Sequence, residues 1–408
     1  MNKESILFTP GTIGPLTLRN RTVRASAFES MCPGNAPSKE LYDYHRSVAA
    51  GGIGMTNLAY AAVTQSGLSF EKQLWMRKEI IPGLRKITDA IHTEGAAACI
   101  QLGHCGNMSH SHICGCTPIS ASSGFNIYSP TRVRGMNKSE LAPMAKAYGE
   151  AVRLAREAGM DAVEIHAGHG YLISQFLSPY TNHRKDEFGG SLENRMRFMK
   201  MCMSEVMEAA GQDMAVLAKV NMSDGFKGGM EADECLEVAR TLQDECGVHA
   251  LSLSGGFVSK APMYVMRGAM PIKTMTHYMP FGYLPLGVRM VGRFMIPTVP
   301  FKEAYFLEDA RKFRAALKLP LVYHGGLVSR DKIEEVLGEG FEFVAMARAL
   351  INEPGFVNRM KEDEHARCDC GHSNYCIARM YSKDMVCHKY VKDLPKSIEE
   401  EIKELEFK

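Results

Sequence analysis

The chain has 408 residues, a formal net charge of +2 at pH 7, 45% hydrophobic residues and 23% charged residues, the balance of an ordinary soluble globular protein. Lys and Arg are spread along the chain rather than clustered, so nothing marks a nucleic-acid binder. No run of about 18 apolar residues predicts a membrane span. The N-terminal stretch lacks an apolar core with a small-residue cleavage site, and most of the 12 cysteines sit singly in apolar segments (Cys99, Cys202, Cys235, Cys246). A reducing cytoplasm is therefore the expected compartment. The sequence leaves the oligomeric state open, a homo-oligomer included.

Short apolar or β-branched runs alternate with longer segments of helical period. The predicted strands are Thr22–Ala25, Ile53–Val63, Ala96–His104, Ala162–His166, Ala215–Asn221, Ala250–Ser254, Leu321–His324 and Phe343–Ala347. The predicted helices are Ser38–Ala50, Glu79–Glu94, Glu140–Ala158, Leu192–Ala210, Ala232–Glu245, Leu307–Leu317, Arg330–Gly338 and Pro354–Lys361, with Ser191 and Ser329 as N-caps for two of them. Such alternation predicts βαβ units and a parallel sheet. An open doubly wound sheet would place a glycine-rich phosphate turn after an early strand. None follows the first two strands, and His104-Cys105-Gly106 has one glycine. The expected fold is α/β, a (β/α)8 TIM barrel over residues 1–365, followed by a cysteine-containing extension over 366–408.

Two connections are too long for plain loops. Gly106–Asn137 follows the third strand and Gly256–Pro300 the sixth, both leaving C-terminal strand ends, where barrel active sites lie. The second carries Met263, Met266, Met270, Met275, Met279, Met290 and Met295. These either pack a subdomain or form an adaptable apolar wall for a bulky ligand.

The segment with most chemistry is Asp161–Arg197, where His166 ends the fourth strand and His169 and Tyr171 follow at once. Residues i and i+3 face opposite sides of a straight strand, but Gly168 and Gly170 let the backbone turn so that both imidazoles converge at the barrel mouth. Two imidazole N–H groups side by side suit an anionic or carbonyl oxygen. A zinc pair is the competing reading, and H-x-x-H without a nearby Glu or Cys is poor zinc spacing.

Residues 161–197 resemble the signature of the old yellow enzyme family, the NADH:flavin oxidoreductases. So do Leu7–Pro10 and Leu18–Arg21, the Gln101–Gly106 stretch, His324-Gly325-Gly326 and Ala347-Arg348-Ala349-Leu350, in order along the chain. The resemblance implies a barrel with FMN at its C-terminal mouth. It implies Gln101 on the flavin pyrimidine edge, where an amide offers donor and acceptor. Lys219 would lie beside the flavin N1/O2 edge; its competing reading is a strand-end salt bridge. Gly325, Gly326, Ala347 and Arg348 would hold the phosphate, and Ala25 and Ala27 would line the cofactor. NADH or NADPH would pass hydride to FMN. An enone held by His166 and His169 would then be reduced, with Tyr171 protonating its α-carbon. The expected activity is an ene-reductase, on bulky hydrophobic enones such as steroid-like ketones if the methionines form a wall. A dehydrogenase or demethylase feeding a carrier, and a flavin-binding protein without turnover, are the alternatives.

Two departures stand out. Where the family commonly shows A-P-M followed by Thr or Cys, this chain has Ala25-Ser26-Ala27-Phe28, so Phe28 would meet substrate and flavin without a hydroxyl or thiol. In the tail, some larger relatives carry a [4Fe–4S] cluster on four thiolates. Here Cys370, Cys376 and Cys387 follow that pattern, but Ser373 occupies the second position, with Cys368 and His372 nearby. A loop without metal is the leading expectation, with a cluster of replaced ligation or zinc as alternatives. Those relatives continue into a dinucleotide-binding domain. With Lys408 as the last residue, the nicotinamide is expected on the barrel itself.

Overall fold

The computed structural model describes residues 5–279 and 284–406. Eight parallel strands close into one barrel. In chain order they are β1 (Thr22–Arg24), β2 (Met55–Ala62), β3 (Ala97–Gly103), β4 (Ala162–His166), β5 (Ala215–Asn221), β6 (Ala250–Ser254), β7 (Leu321–Tyr323) and β8 (Phe343–Met346). Each pairs with the next, and β8 pairs with β1 to complete the ring. The helices between and after them are α1 (Lys39–Ala50), α2 (Ile81–Thr93), α3 (Lys138–Glu157), α4 (Leu192–Ala210), α5 (Ala232–Asp244), α6 (Leu307–Ala316), α7 (Arg330–Gly338) and α8 (Phe356–Glu362).

Strands β4, β5 and β6 and helices α4 and α7 have the predicted bounds; the other elements shift at their ends, where frayed turns leave the boundary weakly determined. Ser191 and Ser329 cap α4 and α7, accepting from the backbone N–H of Asn194 and Lys332. Every residue of β4, β5 and β6 is buried, because helices cover the outside and side chains fill the inside.

With a side-chain period of two, alternate residues of each strand point inward. The lower interior is apolar: Val23, Met55, Cys99, Ala162, Leu217, Val322 and Phe343 form one buried cluster. An N-terminal hairpin, Gly11–Ile13 against Leu16–Leu18, adds Ile13 and Leu18 to that cluster and closes the bottom. Its three-residue strands are too short for a periodic signal, and the sequence reading missed it.

The connection after β3 folds as short strands Ile119–Ser120, Gly124–Asn126 and Thr131–Gly135. Gln175 ties it down: its Oε1 accepts from Asn107 N–H (3.1 Å) and Ser120 Oγ (2.8 Å). The connection after β6 forms helices Pro262–Met266, Ile272–Tyr278 and Leu284–Met295, with residues 280–283 outside the described part. Met275 packs with Ile272 and with Ala378 of the tail, and Met270 and Met279 lean on that group. Met263 is buried as well, whereas Met290 is 72% exposed. Met263, Met270, Met275 and Met279 thus follow the packing reading of the methionine-rich segment. Glu401 fastens the tail to the same helix by accepting from the N–H groups of Lys273 (2.9 Å) and Thr274 (2.8 Å). Among the described residues no helix is long and apolar enough to cross a membrane.

Candidate active site

Above the apolar floor the inward positions turn polar. Asn57, Gln101, Glu164, Lys219 and Ser252 come from five neighbouring strands and meet around the Glu164 carboxylate. Its Oε1 accepts from Gln101 Nε2 (2.7 Å), Asn57 Nδ2 (3.1 Å) and Ser26 Oγ (2.5 Å), and lies 3.1 Å from Lys219 Nζ. Its Oε2 accepts from Ser252 Oγ at 2.5 Å. Lys219 also donates to Ser26 Oγ. Burial alone would push the Glu164 carboxyl up; Lys219, His324 and the two hydroxyls outweigh it and hold the group at about 2. Lys219 therefore does make an ion pair, at a site 2% exposed on both partners.

One step nearer the mouth, the turn after β4 does what its glycines suggest. His169 adopts φ 57° and Gly170 φ 78°. A Cβ on Gly170 would meet the Phe257 ring at 2.4 Å, so this tight passage requires glycine. The His166 and His169 rings approach to 5.1 Å between centroids, and the Tyr171 ring lies 4.2 Å from that of His166, tilted by 34°. Tyr60 closes the group, 5.0 Å from Tyr171. The His169 backbone N–H donates to Asn221 Oδ1 (2.9 Å), and its Nε2 meets Ser254 Oγ at 2.7 Å. Burial, helped by the Lys219 charge, lowers both imidazoles: His169 to about 3, and His166 well below its ordinary value with His169 adding to the effect. Both are neutral at pH 7. Burial pushes the Tyr171 phenol up, so it keeps its proton.

Phe28 stacks on Phe70 (4.7 Å) and lies 6.5 Å from Tyr60, at the edge of the aromatic group. Ser26, not Phe28, carries the hydroxyl that reaches Gln101, Glu164 and Lys219. The Ala25 N–H donates to Met346 O (2.8 Å), bridging β1 and β8, and Ala27 packs against Ile351, Cys376, Met385 and Cys387.

Gly325 (φ 154°) and Gly326 (φ 72°) follow β7. A Cβ on Gly326 would meet Tyr305 at 2.6 Å and Phe301 at 2.7 Å. Phe301 also stacks on His372 (3.5 Å) and lies beneath the Arg348 guanidinium (5.8 Å). Arg348, which follows Ala347, donates to Asn374 Oδ1 at 2.6 Å. Glycine pair, arginine and tail thus meet at one edge of the mouth.

Cys370, Cys376, Cys387 and Ser373 line one cavity with Arg348. Cys368 does not line that cavity but reaches its wall, donating to Asn352 Oδ1 at 3.3 Å, and Asn352 Nδ2 donates to Cys387 Sγ at 3.4 Å. The four cysteines are free thiols, and burial pushes Cys368 and Cys376 up to about 12. Among the described residues no three His, Cys, Asp or Glu side chains lie close enough together to hold a metal ion.

The residues at the mouth fit FMN. His324 Nε2 is buried without a hydrogen-bond partner, beside the Glu164–Lys219 pair. An amide, an ammonium and a hydroxyl (Gln101, Lys219, Ser26) offer the donors and acceptor that a flavin pyrimidine edge needs. Residues 6–274 match the NADH:flavin oxidoreductase / NADH oxidase family. The chain belongs to that family. Membership implies FMN as cofactor and NAD(P)H as reductant. A 4,4'-dithiodibutanoate disulfide reductase of Rhodococcus erythropolis is 39% identical, over 92% of this chain and 93% of that one. An NADPH dehydrogenase of Bacillus subtilis is 33% identical, over 64% of this chain and 77% of its own. Three further curated relatives are matched over about half of their own length. The old yellow enzyme homologue of Zymomonas mobilis shares the fold, with a TM-score of 0.71 at 22% identity, over 95% of this chain and 99% of that one.

Sequence reasoning missed Glu164, Ser26, Asn57, Ser252 and Tyr60, and quoted His324 only as part of a glycine motif. For Glu164 a signal existed: it lies two residues before His166, on the same face of β4, and a buried lysine needs a counter-charge.

Proposed function

We propose that this chain is an FMN-dependent oxidoreductase that uses NADH or NADPH to reduce the activated C=C bond of α,β-unsaturated carbonyl compounds. The observation that carries the reading is the convergence of two neutral imidazoles and a protonated phenol above a polar layer. FMN bound there would take hydride from the nicotinamide and return it to the substrate's β-carbon. Gln101 and Lys219 would hold its pyrimidine edge, Ala25 and Ala27 would line it, and Gly325, Gly326, Ala347 and Arg348 would hold its phosphate. His166 and His169 donate N–H bonds to the carbonyl oxygen and stabilise the negative charge that gathers on it. Tyr171 gives its proton to the α-carbon. Phe28 and Tyr60 form the apolar wall of the substrate face.

A second reading is favoured by the similarity to the Rhodococcus erythropolis disulfide reductase. In it the same pocket takes an organic disulfide, and Tyr171 protonates a departing thiolate. The test is anaerobic: reduce the flavin-loaded protein with NAD(P)H, then mix it with 2-cyclohexenone, with a steroid-like enone, and with 4,4'-dithiodibutanoate. Saturable reoxidation by an enone is expected. Reoxidation by the disulfide alone would hand the site to the second reading. A protein that takes up no FMN would end both, and equal kcat/KM for small and bulky enones would remove the steroid-like preference.

A further inference from the structure

A fully buried carboxylate beneath a site read as receiving electrons is costly unless it has work there, because it repels added negative charge. Glu164 is 2% exposed, and its two oxygens accept from Ser26, Asn57, Gln101 and Ser252 while pairing with Lys219. Three of these partners, Gln101, Lys219 and Ser26, are the groups assigned above to the pyrimidine edge. Gln101 is further constrained by donating to Ser26 Oγ at 2.7 Å, and Lys219 donates to the same oxygen, so the three are tied together around Oε1. The carboxylate also cancels the Lys219 charge at close range (3.1 Å).

We propose that Glu164 is the positioning residue of the cofactor site: it aims Gln101, Lys219 and Ser26 at the flavin and, by offsetting the Lys219 charge, holds the reduction potential of bound FMN down. The inference rests on the FMN reading above. Two opposite perturbations follow from it. Glu164→Gln keeps the shape and removes the charge, leaving Lys219 free to attract the negative charge that reduction adds. Ser252→Ala keeps the charge and removes one donor, so the carboxylate turns more fully against the ring.

The experiment is an anaerobic dye-equilibration titration of the flavin-loaded wild type and both variants, with FMN dissociation followed by fluorescence. For Glu164→Gln the reduced-to-oxidised ratio at a fixed ambient potential should rise about tenfold, an upward shift of about 30 mV for a two-electron couple. Ser252→Ala should move the ratio in the opposite direction and by less. Glu164→Gln should also release FMN faster. Reduced-to-oxidised ratios within twofold of wild type in both variants would overturn the proposal while leaving FMN binding intact. If Glu164→Gln does not fold, Ser252→Ala decides alone: an unmoved potential overturns the assignment and a downward shift supports it. A wild type that binds no FMN would instead overturn the cofactor reading on which the assignment stands.

Discussion

The floor of the barrel and the layer above it are built on the same strands with the same alternation, yet they do different work. The floor is a packed cluster of Val23, Met55, Cys99, Leu217, Val322 and Phe343. One step up, Asn57, Gln101, Glu164, Lys219 and Ser252 replace apolar side chains with a satisfied polar network. The floor fills the inside of the paired ring with apolar contact area. The upper layer spends part of that stability on fixed charges and oriented donors, which are valuable only if something polar binds above them.

The comparison sharpens most at the mouth. Tyr171→Phe should slow reoxidation by an enone by about 10²–10⁴-fold, the usual worth of a positioned general acid, with reduction by NAD(P)H nearly unchanged in stopped flow. An unchanged enone rate would remove Tyr171 from its role. In the polar layer, Lys219→Met strands the Glu164 carboxylate and should cost about 3–5 kcal/mol in urea unfolding, along with loss of FMN. On the floor, Leu217→Ala should cost about 2–5 kcal/mol through a cavity, while the visible spectrum of the bound flavin stays as in wild type. If Leu217→Ala perturbed the flavin as much as Lys219→Met, the division into two layers would fail.

Acid should separate the layers as well. His169 and His324 are held at about 3 against an ordinary 6.5, so below pH 6.5 the unfolded chain takes up protons that the folded chain refuses. Stability should therefore fall as pH drops from 6.5 toward 3. Glu164, held at about 2 against 4.5, adds a second loss beginning below pH 4.5. Melting temperatures measured from pH 8 to pH 3 check this; His324→Asn should lessen the fall in the upper part of the curve, with His169 still contributing, and leave the lower part. The smallest effect belongs outside both layers: Ser191→Ala removes the N-cap of α4 and should cost about 1 kcal/mol with no change in flavin binding or turnover.

Much of the architecture was legible along the chain because it is written in local periods. Ala162–His166, Ala215–Asn221 and Ala250–Ser254 are apolar runs bounded by turns, and α4 and α7 begin at serine caps, so their ends needed no tertiary information. The grouping of His166, His169 and Tyr171 was legible for the same reason: all three lie within one strand and one glycine turn. The match of separate motifs to a known family supplied FMN, which no single spacing implies.

The tertiary structure decided what lies across strands. Ser26 and Lys219 are 193 residues apart, and Asn57 and Glu164 are 107 apart, so no window of sequence joins them. Closure of the ring brings them within hydrogen-bond reach. The methionines at 263, 270, 275 and 279 are equally ambiguous in sequence, since packing against a tail and lining a pocket demand the same apolar side chain. Local pattern determined that eight strands alternate with helices and where β4, β5 and β6 begin and end. Only barrel closure decided which inward residues share a layer, because that depends on the relative register of eight strands rather than on any one of them.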